Sequence, residues 1–153
     1  MTQEHIMKKR MLRAIALFLI TLIALVIFIG LYIDEKRRVQ ETYRKQFISC
    51  LTLTGEAIDS YLDGEGDFPL RYRRILINIS SADSFAFLME NLTEKQKITV
   101  NQLSTCVLKY PEQMQERERL EKMKTAVADI SANLDKGFDE AQQVVDSVDK
   151  QGL

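Results

Sequence analysis

Residues 14–33 form an unbroken apolar run without a single charge, from Ala14-Ile-Ala-Leu-Phe to Gly30-Leu-Tyr-Ile33. As a helix, twenty residues rise about 30 Å, the hydrocarbon thickness of a bilayer. Thr21 can return its hydroxyl to its own helix, and Tyr32 sits at one end of the run, where an interfacial tyrosine is favoured. A cleaved secretory signal would carry a shorter apolar core, about 7–15 residues, and end in a small-x-small site. The stretch Leu31-Tyr-Ile-Asp-Glu35 offers no such site. A buried core helix would not be apolar all round beside Lys8, Lys9 and Arg10. The run therefore predicts a retained transmembrane anchor, with the lipid bilayer as the chain's first partner.

The flanks set the orientation. Lys8, Lys9, Arg10 and Arg13 precede the run against one acid, Glu4. Basic residues stay on the cytoplasmic side, so the N-terminus is expected inside and the remainder outside. Lys36, Arg37, Arg38, Arg44 and Lys45 oppose this from the other flank, and a short basic tail before the first span outweighs them. The expected organisation is a basic cytoplasmic tail over 1–13, an anchor over 14–33 and one extracytoplasmic domain over 34–153. The chain has 21 basic and 22 acidic residues; after the anchor that leaves 17 bases and 21 acids, a net of −4. Nothing there is basic enough for nucleic acid, which needs a concentrated positive surface.

Beyond the anchor the periodicity is helical. Val39, Tyr43, Phe47, Cys50, Thr54, Ala57 and Tyr61 step by three and four along one face, and no Gly or Pro lies between Ile33 and Gly55, so the anchor helix is expected to run on into this stretch. Two glycines and Pro69 then mark a turn and a new helix start. A second helix over 69–91 carries Tyr72, Ile75, Leu76, Ile79, Ala82, Phe85, Ala86 and Met89. Thr93-Glu-Lys-Gln96 is a capping box, opening a third helix with Ile98, Val100, Leu103, Cys106, Val107 and Tyr110. Pro111 marks a turn, a kink or a further start. The last helix shows the longest seam, on Leu120, Met123, Val127, Ile130, Leu134, Phe138, Ala141, Val145 and Val148. It has coiled-coil spacing, with Gly137 a weak spot inside it. Amphipathic helices with short connections hide their stripes most simply in an antiparallel bundle. The predicted fold is all-α: one N-terminal transmembrane helix followed by an antiparallel four-helix bundle. Pairing of the last seam with a second copy covers the same residues, so a homo-oligomer stays open.

Candidate chemistry is thin. Cys50 and Cys106 both fall on apolar faces. They read either as a disulfide suited to an oxidising compartment, closing a loop of about 57 residues for about 4 kcal/mol, or as two buried thiols. Without neighbouring histidine they cannot supply four metal ligands. Asp63, Glu65 and Asp67 alternate like the start of a calcium loop. Phe68 stands where that loop needs Gly and Arg74 where it needs an acid, so a solvated turn is the better reading. Arg71, Arg73 and Arg74 offer an anion contact, or a solvated face paired with nearby acids. His5 is the only histidine and lies before the anchor. That leaves no His-based triad or ligand set beyond it, and no phosphate loop or nucleophile elbow occurs. No catalytic site, cofactor or metal is predicted.

These readings favour a non-enzymatic scaffold, tether or accessory subunit that contacts a membrane or envelope protein through its apolar seams. The alternative is an extracytoplasmic ligand-binding sensory bundle, with polar groups such as Arg71, Arg73, Asn78 or Asn101 converging on a pocket. No second apolar span leads to a cytoplasmic output domain, which disfavours a receptor carrying its own output.

Overall fold

The structure, a computed structural model, describes residues 3–64 and 66–150, with side chains from residue 7 on. All regular structure among these residues is helical. The six helices are α1 (Gln3–Asp63), α2 (Phe68–Leu88), α3 (Glu94–Lys109), α4 (Pro111–Met114), α5 (Arg117–Ala132) and α6 (Phe138–Asp146). The chain divides into two compact units that meet between Val39 and Gln40.

The first unit is the N-terminal part of α1. Its apolar run is long and apolar enough to cross a membrane by length and composition, and none of it is buried. Thr21 donates its hydroxyl to the Leu17 carbonyl at 2.9 Å, which removes the cost of a lone polar group on an apolar helix. Past the run, Arg38 pairs with Glu35 at 2.8 Å.

The second unit begins at Gln40 and packs one core. The later part of α1 presents Phe47, Leu51, Thr54, Ala57 and Ile58 as buried residues. The expected stripe of Val39, Tyr43, Cys50 and Tyr61 lies along its half-buried edge, so the true centre of the face is rotated toward Leu51 and Ile58. Thr54 tolerates full burial because its hydroxyl bonds the Cys50 carbonyl at 2.8 Å. The helix ends at Gly64, where a Cβ would run into the Arg71 guanidinium and the Ser60 carbonyl.

Asp67, in the left-handed region at φ 43°, caps α2 by accepting the Leu70 amide at 3.4 Å. Pro69 sits in the first turn, where its missing N–H costs nothing. The helix stops at Leu88, short of the expected 91, and Met89 and Leu92 then turn into the core. The capping box at Thr93 forms as expected: Gln96 N–H reaches the Thr93 hydroxyl at 3.3 Å and Thr93 N–H reaches Gln96 Oε1 at 2.8 Å.

The expectation of one long last helix is corrected. α4 is a single turn opened by Pro111, and the seam after it is split by the turn Asn133-Leu-Asp-Lys-Gly137. Asn133 is extended, Lys136 N–H bonds back to its carbonyl at 3.0 Å, and Gly137 adopts φ 83°. A Cβ at Gly137 would meet the Ala126 carbonyl oxygen at 2.6 Å and the Ile130 amide nitrogen at 2.8 Å. Only glycine lets the chain turn this close to α5. α6 therefore folds back on α5, and the seam is consumed within the chain rather than extended as a coiled coil.

The packing closes on itself. From Gln40 on, α1 meets α2 through the Tyr61–Tyr72 ring contact at 6.0 Å and the Asn78 amide bonded to the Leu53 carbonyl at 3.1 Å. α2 packs on α3, α3 on α6 and α6 on α5. α5 returns to α1 through the Lys124–Asp59 ion pair and the contact of Val127 with Gly55. Five helical segments thus surround one core, with α4 as a short strut between α3 and α5.

Candidate functional site

The seam residues form the core. Leu120, Met123, Val127, Ile130, Phe138 and Val145 are buried, and Leu134 packs half-buried against them. They hold α5 and α6 to the rest of the unit.

Cys50 is half-buried on α1, Cys106 is buried on α3, and both are free thiols in the structure. Burial pushes both thiols above their ordinary range, which keeps them protonated and poorly nucleophilic.

The three arginines do not converge. Arg71 turns its guanidinium onto the Ser60 carbonyl and, at 3.2 Å, the Ser60 hydroxyl. It thereby satisfies a carbonyl in the last turn of α1, where a cation is favoured by the helix dipole. Arg73 lines a shallow recess of about 320 Å³ with Phe68, Pro69, Tyr72 and Leu76. Arg74 is exposed. Asn78 is bound to Leu53, and Asn101 donates to Asp83 at 2.9 Å. Of the polar groups expected to converge on a ligand pocket, Arg71, Asn78 and Asn101 thus each serve a different partner, and Arg73 lies at a separate recess. Of the alternating acids, Asp67 caps α2, Asp63 ends α1, and Glu65 lies outside the described residues.

One feature was invisible in the sequence. A recess of about 610 Å³ opens where the α5–α6 turn meets the start of α3, lined by Thr93, Lys95, Gln96, Thr99 and residues 135–140. Gln96 ties it together by donating to the Leu134 carbonyl at 3.1 Å, and Lys95 pairs with Asp139 at 3.4 Å. The Asn-Leu-Asp-Lys-Gly segment marks the turn on one side of it, but nothing in the sequence joins that turn to the start of α3. Among the described residues no group of three or more His, Cys, Asp or Glu side chains could hold a metal ion.

Exposed apolar side chains are the other candidates. Beyond the first unit these include Leu53 and Ile77, next to the Asn78–Leu53 bond, then Phe87, Leu88 and Ile98, and Leu108. No family model, no curated protein and no solved structure matches the chain.

Proposed function

We propose that the chain is a single-pass membrane protein whose helical domain serves as a non-enzymatic scaffold, tether or accessory subunit. Residues 14–33 span the bilayer, the N-terminal tail is cytoplasmic, and an antiparallel helical bundle faces the other side. The observation that carries the reading is the bare surface of α1. From Ile15 to Ile33 its large apolar side chains are exposed on every face, Phe28 by 72%. A contiguous apolar surface of this length is not left in water and calls for lipid.

The partner is a membrane or envelope protein, and the outer faces carrying Leu53, Ile77 and Leu108 are the apolar surface available to it. Cross-linking in native membranes followed by affinity capture of the full chain tests this. A reproducible heteromeric product supports it, whereas adducts of the chain with itself alone would indicate a homo-oligomer instead. Extraction of the chain by alkaline carbonate without detergent would overturn the anchor.

A further inference from the structure

We propose that the recess beside the start of α2 captures the C-terminal apolar residue of a partner polypeptide, with Arg73 taking its carboxylate. The recess holds about 320 Å³ and is lined by Phe68, Pro69, Tyr72, Arg73, Leu76 and Gln115. α4 lasts a single turn: Met114 is buried in the core and the chain bends at Gln115 and Glu116. One side of the first turns of α2 is left uncovered, with Phe68 49% exposed and Leu76 half-buried. The apolar floor is held in place. Tyr72 commits its hydroxyl to the Val107 carbonyl at 2.7 Å, so only its ring is offered to a ligand. Tyr61 packs edge-on against Phe68 at 5.5 Å and against Tyr72 at 6.0 Å, a favoured arrangement that fixes both rings.

The rim carries the charge. Arg73 and Gln115 are exposed, and among the described residues neither side chain has a hydrogen-bond or ion-pair partner. No carboxylate among the described residues lines the recess. The acids adjoining it in the chain are occupied: Asp67 accepts the Leu70 amide at 3.4 Å, and Glu116 pairs with Arg119 at 3.2 Å. A free guanidinium and a free amide at the edge of an apolar floor are complementary to an apolar group with a carboxylate beside it. A terminal residue carries both on one Cα. In an extended segment adjoining side chains point to opposite faces, so an internal acid would carry its apolar neighbour away from the floor. The Gln115 amide is then at hand for the peptide group of the terminal residue. Capture of a terminal carboxylate is a recurring mode of peptide recognition. The volume lies at the low end of ligand pockets, roughly 300–1,000 Å³, and the recess is shallow. It suits one residue at the end of a longer chain; a free small acid would bury too little of itself there. The inference rests on the partner-binding reading above, and its test separates the two.

The probe is a tetrapeptide, Gly-Ser-Gly followed by photoreactive p-benzoylphenylalanine, made with a free C-terminal carboxylate or amidated. The full chain in lipid nanodiscs is irradiated with each form, and cross-links are located by mass spectrometry. The free-acid form should label residues 68–76 and Gln115. Amidation should cut that labelling about tenfold, as for loss of a charge-assisted hydrogen bond. Arg73→Glu should cut it as much, while Arg74→Glu, the same charge change one residue on, should cut it less than about twofold. Both arginines are exposed, and circular dichroism checks the helix content. The acid–amide comparison needs no variant, so it decides even where a variant fails to fold. Equal labelling by acid and amide, equal losses in Arg73→Glu and Arg74→Glu, or labelling confined to residues 14–33 overturns the site. Protection by 3-phenylpropionate equal to that by unlabelled Gly-Ser-Gly-Phe assigns the recess to free small acids and overturns a polypeptide as its occupant. In native membranes, Arg73→Glu should lose the heteromeric cross-linked product. A product that persists unchanged overturns the recess as the partner's site and leaves the scaffold reading standing. No heteromeric product from the unaltered chain overturns that reading itself, and with it a protein as the occupant.

Discussion

Gln40 and Gln113 solve the same problem at different places. Each uses both ends of one side-chain amide to hold a stretch of irregular backbone. Gln113 donates to the Asp149 carbonyl at 2.9 Å and accepts the Asp149 N–H at 2.8 Å, and Gln40 donates to the Leu88 carbonyl at 3.2 Å and accepts the Glu90 N–H at 2.9 Å. Such bonds contribute about 1 kcal/mol each, and less where water competes. Gln40→Ala should lower stability by about 1 kcal/mol and speed hydrogen exchange at the Glu90 amide, while Gln40→Glu loses only the donated bond. Tyr72 is the buried counterpart, donating to the Val107 carbonyl at 2.7 Å across α2 and α3. Burial pushes its hydroxyl above the ordinary value of 10.0. In the unfolded chain the proton leaves near that ordinary value, whereas the folded protein keeps it. Stability is therefore intact below pH about 10 and falls as the pH climbs further. The two thiols, raised from 9.0 by burial, start the same decline about one unit lower. Tyr72→Phe should cost about 1 kcal/mol at neutral pH and flatten the decline above pH 10. Denaturant melts of the detergent-solubilised chain at pH 8, 9.5 and 11 read both effects.

At the scale of elements, the starts of α2, α3 and α4 were legible, while the stop of α2 and the break between α5 and α6 were not. Pro69, the Thr93–Gln96 box and Pro111 act within a single turn, so their chemistry can be read locally. The end of α5 is different. Ile130, Leu134, Phe138 and Ala141 step by four, four and three straight through the turn at 133–137. The five-residue connection keeps the apolar phase because both helices face the same core, so periodicity alone cannot see it. Leu51 and Ile58 were missed for a related reason. A helix that is contacted from two sides buries a wider face than a single three-four staircase describes. The larger recess and the capping role of Arg71 depend on residues brought together by the fold and had no linear signature. Two variants test these element boundaries. Gly137→Ala must place a methyl against the α5 backbone and hold a left-handed φ, which should destabilise by about 2–4 kcal/mol. Thr93→Ala should cost about 1 kcal/mol, and pairing it with Gln96→Ala should show coupling between the two, since they share one reciprocal cap.

For the molecule as a whole, the core lies entirely from Gln40 onward. A fragment over 40–153 should therefore fold without lipid, giving a helical circular dichroism spectrum and one cooperative melt. Loss of cooperativity would mean that α1 needs its apolar half to hold Phe47 and Leu51 in place. The order of the ring carries a consequence for biosynthesis. Around the core the helices run α1, α2, α3, α6, α5, so α6 is wedged between α3, made well before it, and α5, made just before it. During synthesis α3 and α5 emerge with Val100, Leu103 and Ile130 lacking their cover, and the gap cannot close until Ala141, Val144 and Val145 arrive. Vectorial synthesis at about 5–20 residues per second leaves that sticky cleft open for a second or more. A nascent chain arrested at 137 should be protease-sensitive and captured by chaperones, while one carried through 150 should snap shut in a single late step.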